Sequence, residues 1–245
     1  LAVLVLGSPL ITGCGAQTTL GDGVTNQSTG LDISARDVLM QEITDLTKAI
    51  ELNPKDANAY SDRGIAMGQL GSHETAIADF TKVLEIDPLN FPAYVYRGNE
   101  KYELGDYQAA IEDYSKAIEM NPQLSAYTYN NRGNAKTELK DYQGAIADFN
   151  QAIEINPQLA NVYYNRGYAK GVLENYQDAI ADYSKAIEID PQYIDAYSNR
   201  GKAKGIGLSD DKGACSDFKK AASLGDEYRI NWLNSEGASW CRNMQ

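Results

Sequence analysis

The chain has 245 residues, of which 43% are hydrophobic, and 34 acidic against 22 basic side chains give a formal net charge of −12. This apolar content is sufficient for a continuous core, and the length fits one elongated array or one to two compact domains. The acidity argues against a nucleic-acid-binding protein, because contacts with phosphates need clustered lysine and arginine. We interpret the negative charge as a soluble, self-repelling surface and not as an acidic binding patch.

Residues 1–13 differ in composition from everything that follows. The segment opens with six apolar residues, continues through glycine and proline, and ends at Ile11-Thr12-Gly13-Cys14. It is shorter than the ~20 apolar residues that span a bilayer, and it is typical of the hydrophobic region of a secretory signal peptide. Because the chain starts at Leu1 and no basic region precedes the apolar run, we expect further residues before it.

Ile11-Thr12-Gly13-Cys14 resembles the lipobox of bacterial lipoproteins. The resemblance implies that residues 1–13 are removed and that Cys14 carries the lipid. The protein would then be membrane-anchored and extracytoplasmic, in a bacterial periplasm or at the cell surface. Several acyl chains would anchor it firmly, whereas one binds only marginally. The alternative is an ordinary secretory signal that happens to contain a cysteine.

The segment after this motif has the composition of a tether. Residues 14–31 contain the lipidated cysteine and then mostly glycine, serine, threonine, glutamine and asparagine. Such a linker is flexible, with a typical reach of ~20–25 Å. The folded body could therefore stand away from a membrane and reorient.

A motif of tyrosine, arginine and glycine recurs through the rest of the chain. In each copy arginine follows tyrosine by three residues and precedes glycine, and successive arginines lie 34 or 35 residues apart. This period is typical of a stacked array whose units bury apolar faces against their neighbours. Apolar spacings of three and four in each half-unit predict two amphipathic helices, the second ended by proline. The copies start at Tyr60, Tyr94, Tyr129, Tyr163 and Tyr197.

The pattern is identified as the tetratricopeptide repeat (TPR), and it resembles the bacterial form with Asn-Arg-Gly in its first helix. The resemblance covers about residues 36–224. It implies an all-α fold, a right-handed α-solenoid of TPR helix hairpins. We assign an N-terminal capping helix to 36–56, repeats to 57–90, 91–124, 125–159, 160–193 and 194–228, and a C-terminal capping segment to 229–245.

Two repeats depart from the common spacing. The third has one extra residue between Pro122 and Arg132, so we expect an added residue or a small kink where its first helix begins. The fifth has an insertion and a glycine-rich stretch from Gly201 to Gly207. Because each interior glycine costs ~1 kcal/mol relative to alanine, we expect a distorted, irregular last repeat.

An aspartate follows the motif arginine at a regular distance. The separation is sixteen residues in four repeats and seventeen in the fifth, where the insertion explains the difference. This predicts one partly buried ion pair per repeat, which links the two helices. We therefore interpret the arginines as structural residues first, and as ligand contacts only as a distant second possibility. The pairs are Arg63–Asp79, Arg97–Asp113, Arg132–Asp148, Arg166–Asp182 and Arg200–Asp217.

The TPR resemblance also implies a concave groove, lined by the first helices, that takes an extended peptide or a partner helix. Asparagine can pair with an extended backbone, and tyrosine supplies rigid amphipathic contact area. Five tyrosines outside the repeat motif fall on this face, which favours binding over an ordinary helix surface. The predicted partner-binding residues are Asn58, Ser61, Tyr96, Asn99, Tyr102, Tyr127, Asn130, Asn131, Asn134, Asn161, Tyr164, Asn165, Tyr168, Ser198, Asn199 and Lys202. The face also carries Asp62, Ile65, Val95, Glu103, Glu138, Val172 and Asp195.

Two cysteines lie in the last repeat and near the end of the chain. In an oxidising compartment Cys215 and Cys241 can form a disulfide that holds the terminal segment, with Trp232 and Trp240, over the last repeat. The alternative is that Cys215 is a buried apolar residue in the place of the isoleucine of other repeats.

Catalysis has little support. The histidine count is one, and His73 stands where other repeats have tyrosine, so we interpret it as a packing or turn residue. The sequence offers no nucleophile–histidine set, metal-ligand cluster or phosphate-binding loop. We expect no enzyme activity, cofactor, metal or small-molecule substrate.

The resulting hypothesis is a non-catalytic, membrane-tethered scaffold or adaptor. It binds a partner protein or peptide in the groove, in the assembly of a membrane or envelope complex. The alternatives are a self-associating structural TPR module and an accessory subunit of an envelope enzyme.

Overall fold

The computed structural model describes residues 33–121 and 126–243. This part of the chain holds thirteen α-helices and a short 3₁₀ turn, and no strand. The predictions for the signal segment, for Cys14 and for the linker lie outside the described residues. The helices are α1 (Ile33–Leu52), α2 (Ala57–Gln69), α3 (His73–Ile86), α4 (Phe91–Glu103), α5 (Tyr107–Met120), α6 (Ala126–Glu138), α7 (Tyr142–Ile155), α8 (Ala160–Val172), α9 (Tyr176–Ile189), α10 (Ile194–Leu208), α11 (Asp211–Ser223), α12 (Glu227–Asn234) and α13 (Ser239–Arg242), with the 3₁₀ turn at Glu236–Ala238.

Helices α2 to α11 form five consecutive hairpins. The first helix of each hairpin (α2, α4, α6, α8 and α10) packs against its own second helix and also against the second helix of the preceding hairpin. The predicted all-α stack of helix hairpins is therefore confirmed. Each hairpin buries its apolar residues only against its neighbours, as a repeat array requires.

The motif glycines allow the two helices of a hairpin to approach closely. Each lies under an aromatic ring of the second helix, and a Cβ atom built on it would come within 2.5 to 3.0 Å of a ring carbon. In the second repeat this pair is Gly98 and Tyr114, whose ring is 1% exposed. Glycine is required here because any side chain would displace the ring from the core.

The predicted arginine–aspartate pairs are confirmed in all five repeats. Arg97 Nε and Nη2 donate to the two carboxylate oxygens of Asp113 at 2.9 and 2.7 Å, and the other repeats show the same two-pronged contact. In repeats two to five a lysine four residues after the arginine contacts the same aspartate at 2.8 Å. The aspartates are buried, so their charge is compensated entirely by protein groups.

The remaining guanidinium nitrogen joins one repeat to the one before it. Arg97 Nη1 donates to Thr81 of α3 at 3.1 Å, and the arginines of later repeats bond a serine or asparagine at the equivalent position. Arg63 makes the same bond, at 3.1 Å, to Thr47 of α1. Helix α1 therefore takes the place of a second helix in front of the first hairpin, with Ile43 and Ile50 buried.

The third repeat, which has an extra residue, keeps a first helix of regular length. Helix α6 has 13 residues, like α2, α4 and α8, and the extra residue of the third repeat precedes Ala126. The described part of the third repeat therefore shows no added helical residue, and residues 122–125 lie outside the described range.

The glycine-rich stretch of the fifth repeat lies in a continuous helix, but α10 has 15 residues, against 13 in α2, α4, α6 and α8, and it ends at Ser209, which has φ 53°. Gly207 has a packing reason. A Cβ atom there would lie 2.2 Å from Cγ of Tyr176, so the glycine admits that ring from the preceding hairpin.

The last three helices cover the end of the stack. The ring of Trp232 meets the ring of Phe218 edge-on at 5.2 Å, and Trp240 packs on Trp232 at 6.0 Å. A disulfide joins Cys215 to Cys241, and both cysteines are buried. The terminal segment therefore covers apolar surface that a sixth hairpin would otherwise bury.

Candidate partner-binding groove

The five first helices lie side by side along one face of the stack. Contacts join α2 to α4, α4 to α6, α6 to α8 and α8 to α10. We call the face of these helices that carries the predicted residues the groove.

Amide side chains connect neighbouring first helices across the floor of the groove. Asn131 Nδ2 donates to Asn99 Oδ1 at 3.1 Å. One repeat further on, Asn165 Nδ2 donates to Asn130 Oδ1 and Asn134 Oδ1, both at 3.0 Å. We call this set, continued by the bond from Asn199 Nδ2 to the Tyr164 hydroxyl at 2.9 Å, the amide ladder.

Three predicted binding residues are buried within the wall of the groove. Asn130 is 4% exposed, and Tyr164 and Ser198 are 7% exposed. The ring of Tyr164 packs against Tyr183 and Tyr193, with centroids 5.8 and 5.0 Å away. These side chains support the groove and offer little surface to a partner, which the repeat pattern could not show.

Other predicted residues are accessible from the groove. Tyr127 is 57% exposed at the start of α6, and Tyr96 is 37% exposed with its ring stacked on Phe80 at 5.5 Å. Tyr102 meets the edge of Tyr107 at 5.2 Å. Asn58 and Lys202 are also exposed, and the partly exposed members are Ser61, Asn99, Tyr102, Asn131, Asn134, Asn161, Asn165, Tyr168 and Asn199.

Charged groups stand at both ends of the groove. Partial burial raises the pKa of Asp62, and the nearby Asp56 raises it further. At the other end, burial and then Asp226 raise the pKa of Asp195. Burial lowers the pKa of the Lys202 ammonium group, and the positive charge of Arg229 lowers it further.

The C-terminal helix α12 completes the far end of the groove with residues that the sequence did not reveal. Ser198 Oγ donates to Asp226 Oδ2 at 2.5 Å, and Arg229 Nε donates to Ser198 Oγ at 3.3 Å. The Arg229 guanidinium lies 3.9 Å from the centroid of Phe218 and is buried. The repeat motif ends before this helix, so no spacing could have placed Asp226 or Arg229.

The histidine of the chain takes part in a contact between repeats. His73 Nδ1 lies 2.7 Å from Glu100 Oε2, so the histidine joins the first repeat to the second. No group of three or more histidine, cysteine, aspartate or glutamate side chains among the described residues could hold a metal ion. None of the described helices combines the length and apolar character needed to cross a bilayer.

Models of known families match the chain in four places. The tetratricopeptide repeat matches residues 46–78, 91–124 and 160–193, and a further TPR repeat matches residues 133–171. Together these matches cover just over half of the chain. No curated protein matches the sequence.

Solved structures share this architecture. A crystal structure of MamA protein is 29% identical with a TM-score of 0.64, covering 73% of this chain and 96% of that one. MamA from Desulfovibrio magneticus RS-1 is 22% identical with a TM-score of 0.65, covering 73% of this chain and 97% of that one. YrrB, described as a TPR protein with an unusual peptide-binding site, is 23% identical with a TM-score of 0.65, covering 77% of this chain and 96% of that one. The last two likenesses concern the fold alone. From the repeats, the hairpins and the family matches, we conclude that the chain belongs to the tetratricopeptide repeat family.

Proposed function

We propose that the protein is a non-catalytic scaffold that binds a partner protein or peptide along the groove. The observation that carries this proposal is the exposure of the Tyr96 and Tyr127 rings on the face that carries the amide ladder. Packing of the stack does not need these two rings to be accessible. Exposed tyrosines supply contact area with few rotatable bonds, so they suit a binding surface.

The amide ladder supports binding by holding the floor of the groove in one arrangement. Its asparagines are fixed by bonds between neighbouring helices, as at Asn165 of α8, which donates to two asparagines of α6. A partner therefore meets a surface whose side chains are already ordered. Binding to such a surface loses less conformational entropy than binding to mobile side chains, which cost roughly 0.5–1.5 kcal/mol each.

Membrane tethering is the second part of the proposal. The lipobox-like residues Ile11 to Cys14 and the polar linker after them support a lipid anchor with a mobile spacer. Anchoring the scaffold next to membrane partners raises their effective concentration and so favours assembly without new contacts. We place the scaffold on the extracytoplasmic side of a bacterial membrane, in the assembly of a membrane or envelope complex.

The groove is tested by crosslinking and affinity purification from detergent-solubilised membranes. We expect the double variant Tyr96→Ala/Tyr127→Ala to lose the crosslinked partner. Leu89→Ala is the matched control, because Leu89 is an exposed apolar residue, 76% exposed, in the loop between α3 and α4. Equal capture by the double variant and the control would refute groove binding. Capture of a second copy alone would favour a self-associating module.

The anchor is tested separately with Cys14→Ala. We expect this variant to move from the membrane to the soluble fraction, and mass spectrometry of the wild-type N-terminal peptide to show acylation at Cys14. A variant that stays with the membrane, or an unmodified Cys14 in the wild type, would remove the lipoprotein part of the proposal and leave the groove part standing.

A further inference from the structure

Some of the charges on the outer surface of the stack are paired. The exposed faces of second helices carry lysine–glutamate pairs three residues apart, such as Lys82–Glu85 at 2.5 Å and Lys116–Glu119 at 3.0 Å. Lys185–Glu188 repeats the arrangement in α9 at 2.7 Å. These glutamates are therefore neutralised locally and exert little attraction on a distant cation.

The lysines of α4, α6 and α8 that follow the motif arginine are not available to the groove. Lys101, Lys136 and Lys170 each lie 2.8 Å from the buried aspartate of their own repeat. The motif arginines contact the same aspartates. These positive charges thus point into the hairpins and compensate buried groups.

Two carboxylates in the N-terminal half of the groove have no such compensation. Asp62 of α2 and Glu103 of α4 are exposed, and neither has an ion-pair partner among residues 33–121 and 126–243. The charged neighbour that most affects Asp62 is another acid, Asp56, which adds to the effect of burial in raising the pKa of Asp62. Negative charge is therefore concentrated on this half of the groove.

The other half of the groove is balanced. Lys202 and Arg229 stand beside Asp195 and Asp226, and they influence one another's pKa values. Discrimination by charge is expected where the carboxylates are uncompensated, next to the exposed rings of Tyr96 and Tyr127.

We propose that the groove binds an extended, basic segment of its partner. Lysine or arginine side chains of that segment lie against Asp62 and Glu103, and its apolar side chains cover the rings of Tyr96 and Tyr127. This inference rests on the proposed function and names the chemical class of the partner. A carboxylate without an ion-pair partner attracts a cation, and aromatic rings add attraction for cations. An acidic partner would instead add like charge to this half of the groove.

Three short capped peptides with a fluorescent label test the inference. One repeats Lys-Ser-Leu-Ser, and the others carry glutamine or glutamate in place of lysine. Anisotropy titrations of the whole chain at low and high NaCl give the affinities. We expect the lysine peptide to bind about tenfold more tightly than the glutamine peptide at low salt, with the advantage falling as salt screens the contacts.

Variants locate the effect on the protein. We expect Asp62→Asn/Glu103→Gln to lose about tenfold in affinity for the lysine peptide, from two partly exposed charge contacts. The matched control is Glu85→Gln/Glu119→Gln on the outer surface, and we expect it to keep wild-type affinity. Circular dichroism of both double variants checks that the fold is intact.

The possible outcomes distinguish failure of this inference from failure of the proposed groove-binding function. If all three peptides bind equally and Tyr96→Ala/Tyr127→Ala abolishes that binding, the groove remains the binding site but the preference for a basic partner is refuted. Equal loss in the groove and outer-surface variants would overturn it too, since net charge alone would then explain the preference. Failure of all three peptides to bind would count against both proposals.

Discussion

At the scale of single residues, the repeat is held by groups that each perform several tasks. The motif arginine bonds an aspartate of its own hairpin and a side chain of the preceding one, and its guanidinium lies 5.5 to 5.7 Å from the ring of the motif tyrosine. These contacts supply the hydrogen-bond partners that an otherwise costly buried ion pair needs. Arginine suits this position because its planar fork matches a carboxylate and leaves a nitrogen for a third bond.

Removing Arg132 tests this account. In Arg132→Ala the buried Asp148 keeps only Lys136 as a charged partner, so we expect a loss of about 3 kcal/mol in the free energy of unfolding by urea. Lys116→Ala removes an exposed ion pair and should cost less than ~1 kcal/mol. Similar midpoints for the two variants would show that the buried pair is not the main determinant.

Glu100 gives a pH-dependent prediction. Burial raises its pKa, while the contact with His73 opposes the rise only in part. The folded state therefore holds this proton more tightly, and the associated stability is lost as the pH rises through the raised pKa. We expect Glu100→Gln to gain in melting temperature relative to the wild type as the pH rises above the ordinary pKa of a glutamate, about 4.3.

The comparison needs a glutamate that is free of this environment. Glu112→Gln, at an exposed position in α5, is the control and should show no such trend. A melting-temperature difference between Glu100→Gln and the wild type that does not change with pH would contradict the assignment.

At the scale of the elements, two turns between helices hold a residue other than glycine in the left-handed conformation. Gly71 and Gly105 have φ values of 78° and 79° in the first two hairpins, but Lys140 and Glu174 occupy the same left-handed conformation in the next two. A side chain makes this conformation unfavourable by roughly 1–2 kcal/mol. The array tolerates it because the helices on either side fix the turn.

Lys140→Gly is therefore expected to stabilise the protein by roughly 0.5–1 kcal/mol. Glycine removes the cost of the left-handed conformation, but it also raises the conformational entropy of the unfolded chain, which offsets part of this gain. The reverse change, Gly105→Ala, should destabilise it, since no atom lies within 4 Å of an added Cβ and only the backbone conformation is affected. Thermal unfolding measures both, and a lower melting temperature for Lys140→Gly would contradict the argument.

The terminal disulfide is the other device at this scale. It closes a segment of 26 residues and holds α13 against α11. Cys241→Ser is expected to cost about 3 kcal/mol, in line with the loop that is released. Dithiothreitol should lower the melting temperature of the wild type and leave that of Cys241→Ser unchanged. Sensitivity of the variant to the reductant would point to a different bond.

At the scale of the whole molecule, repeats are coupled to their neighbours by the core, by the arginines and by the amide ladder. Asn165→Ala breaks two ladder bonds and leaves the buried Asn130 without one of its donors, which should cost about 1–3 kcal/mol. Asn161→Ala, in the same helix and partly exposed, is the control. Urea unfolding followed by circular dichroism compares them, and equal midpoints would mean that the ladder only lines the groove.

Much of this molecule can be derived from its sequence because the fold is local. A repeat contacts only the units beside it, so the period of Tyr-x-x-Arg-Gly determines the hairpins, the glycine under each ring and the partner of each arginine. The same pattern identifies the face of the groove, since helix positions three and four residues apart share one side.

Only the tertiary structure decided which residues on that face are accessible. Asn130 and Tyr164 satisfy the same pattern as Tyr96 and Tyr127, but packing across neighbouring repeats buries the first two and leaves the others exposed. It also decided that Gly207 admits Tyr176 without breaking α10, and that Arg229 reaches Ser198 from outside the repeat. Periodicity describes each unit alone, whereas burial, charge compensation and the ends of a stack depend on what the neighbouring units place against it.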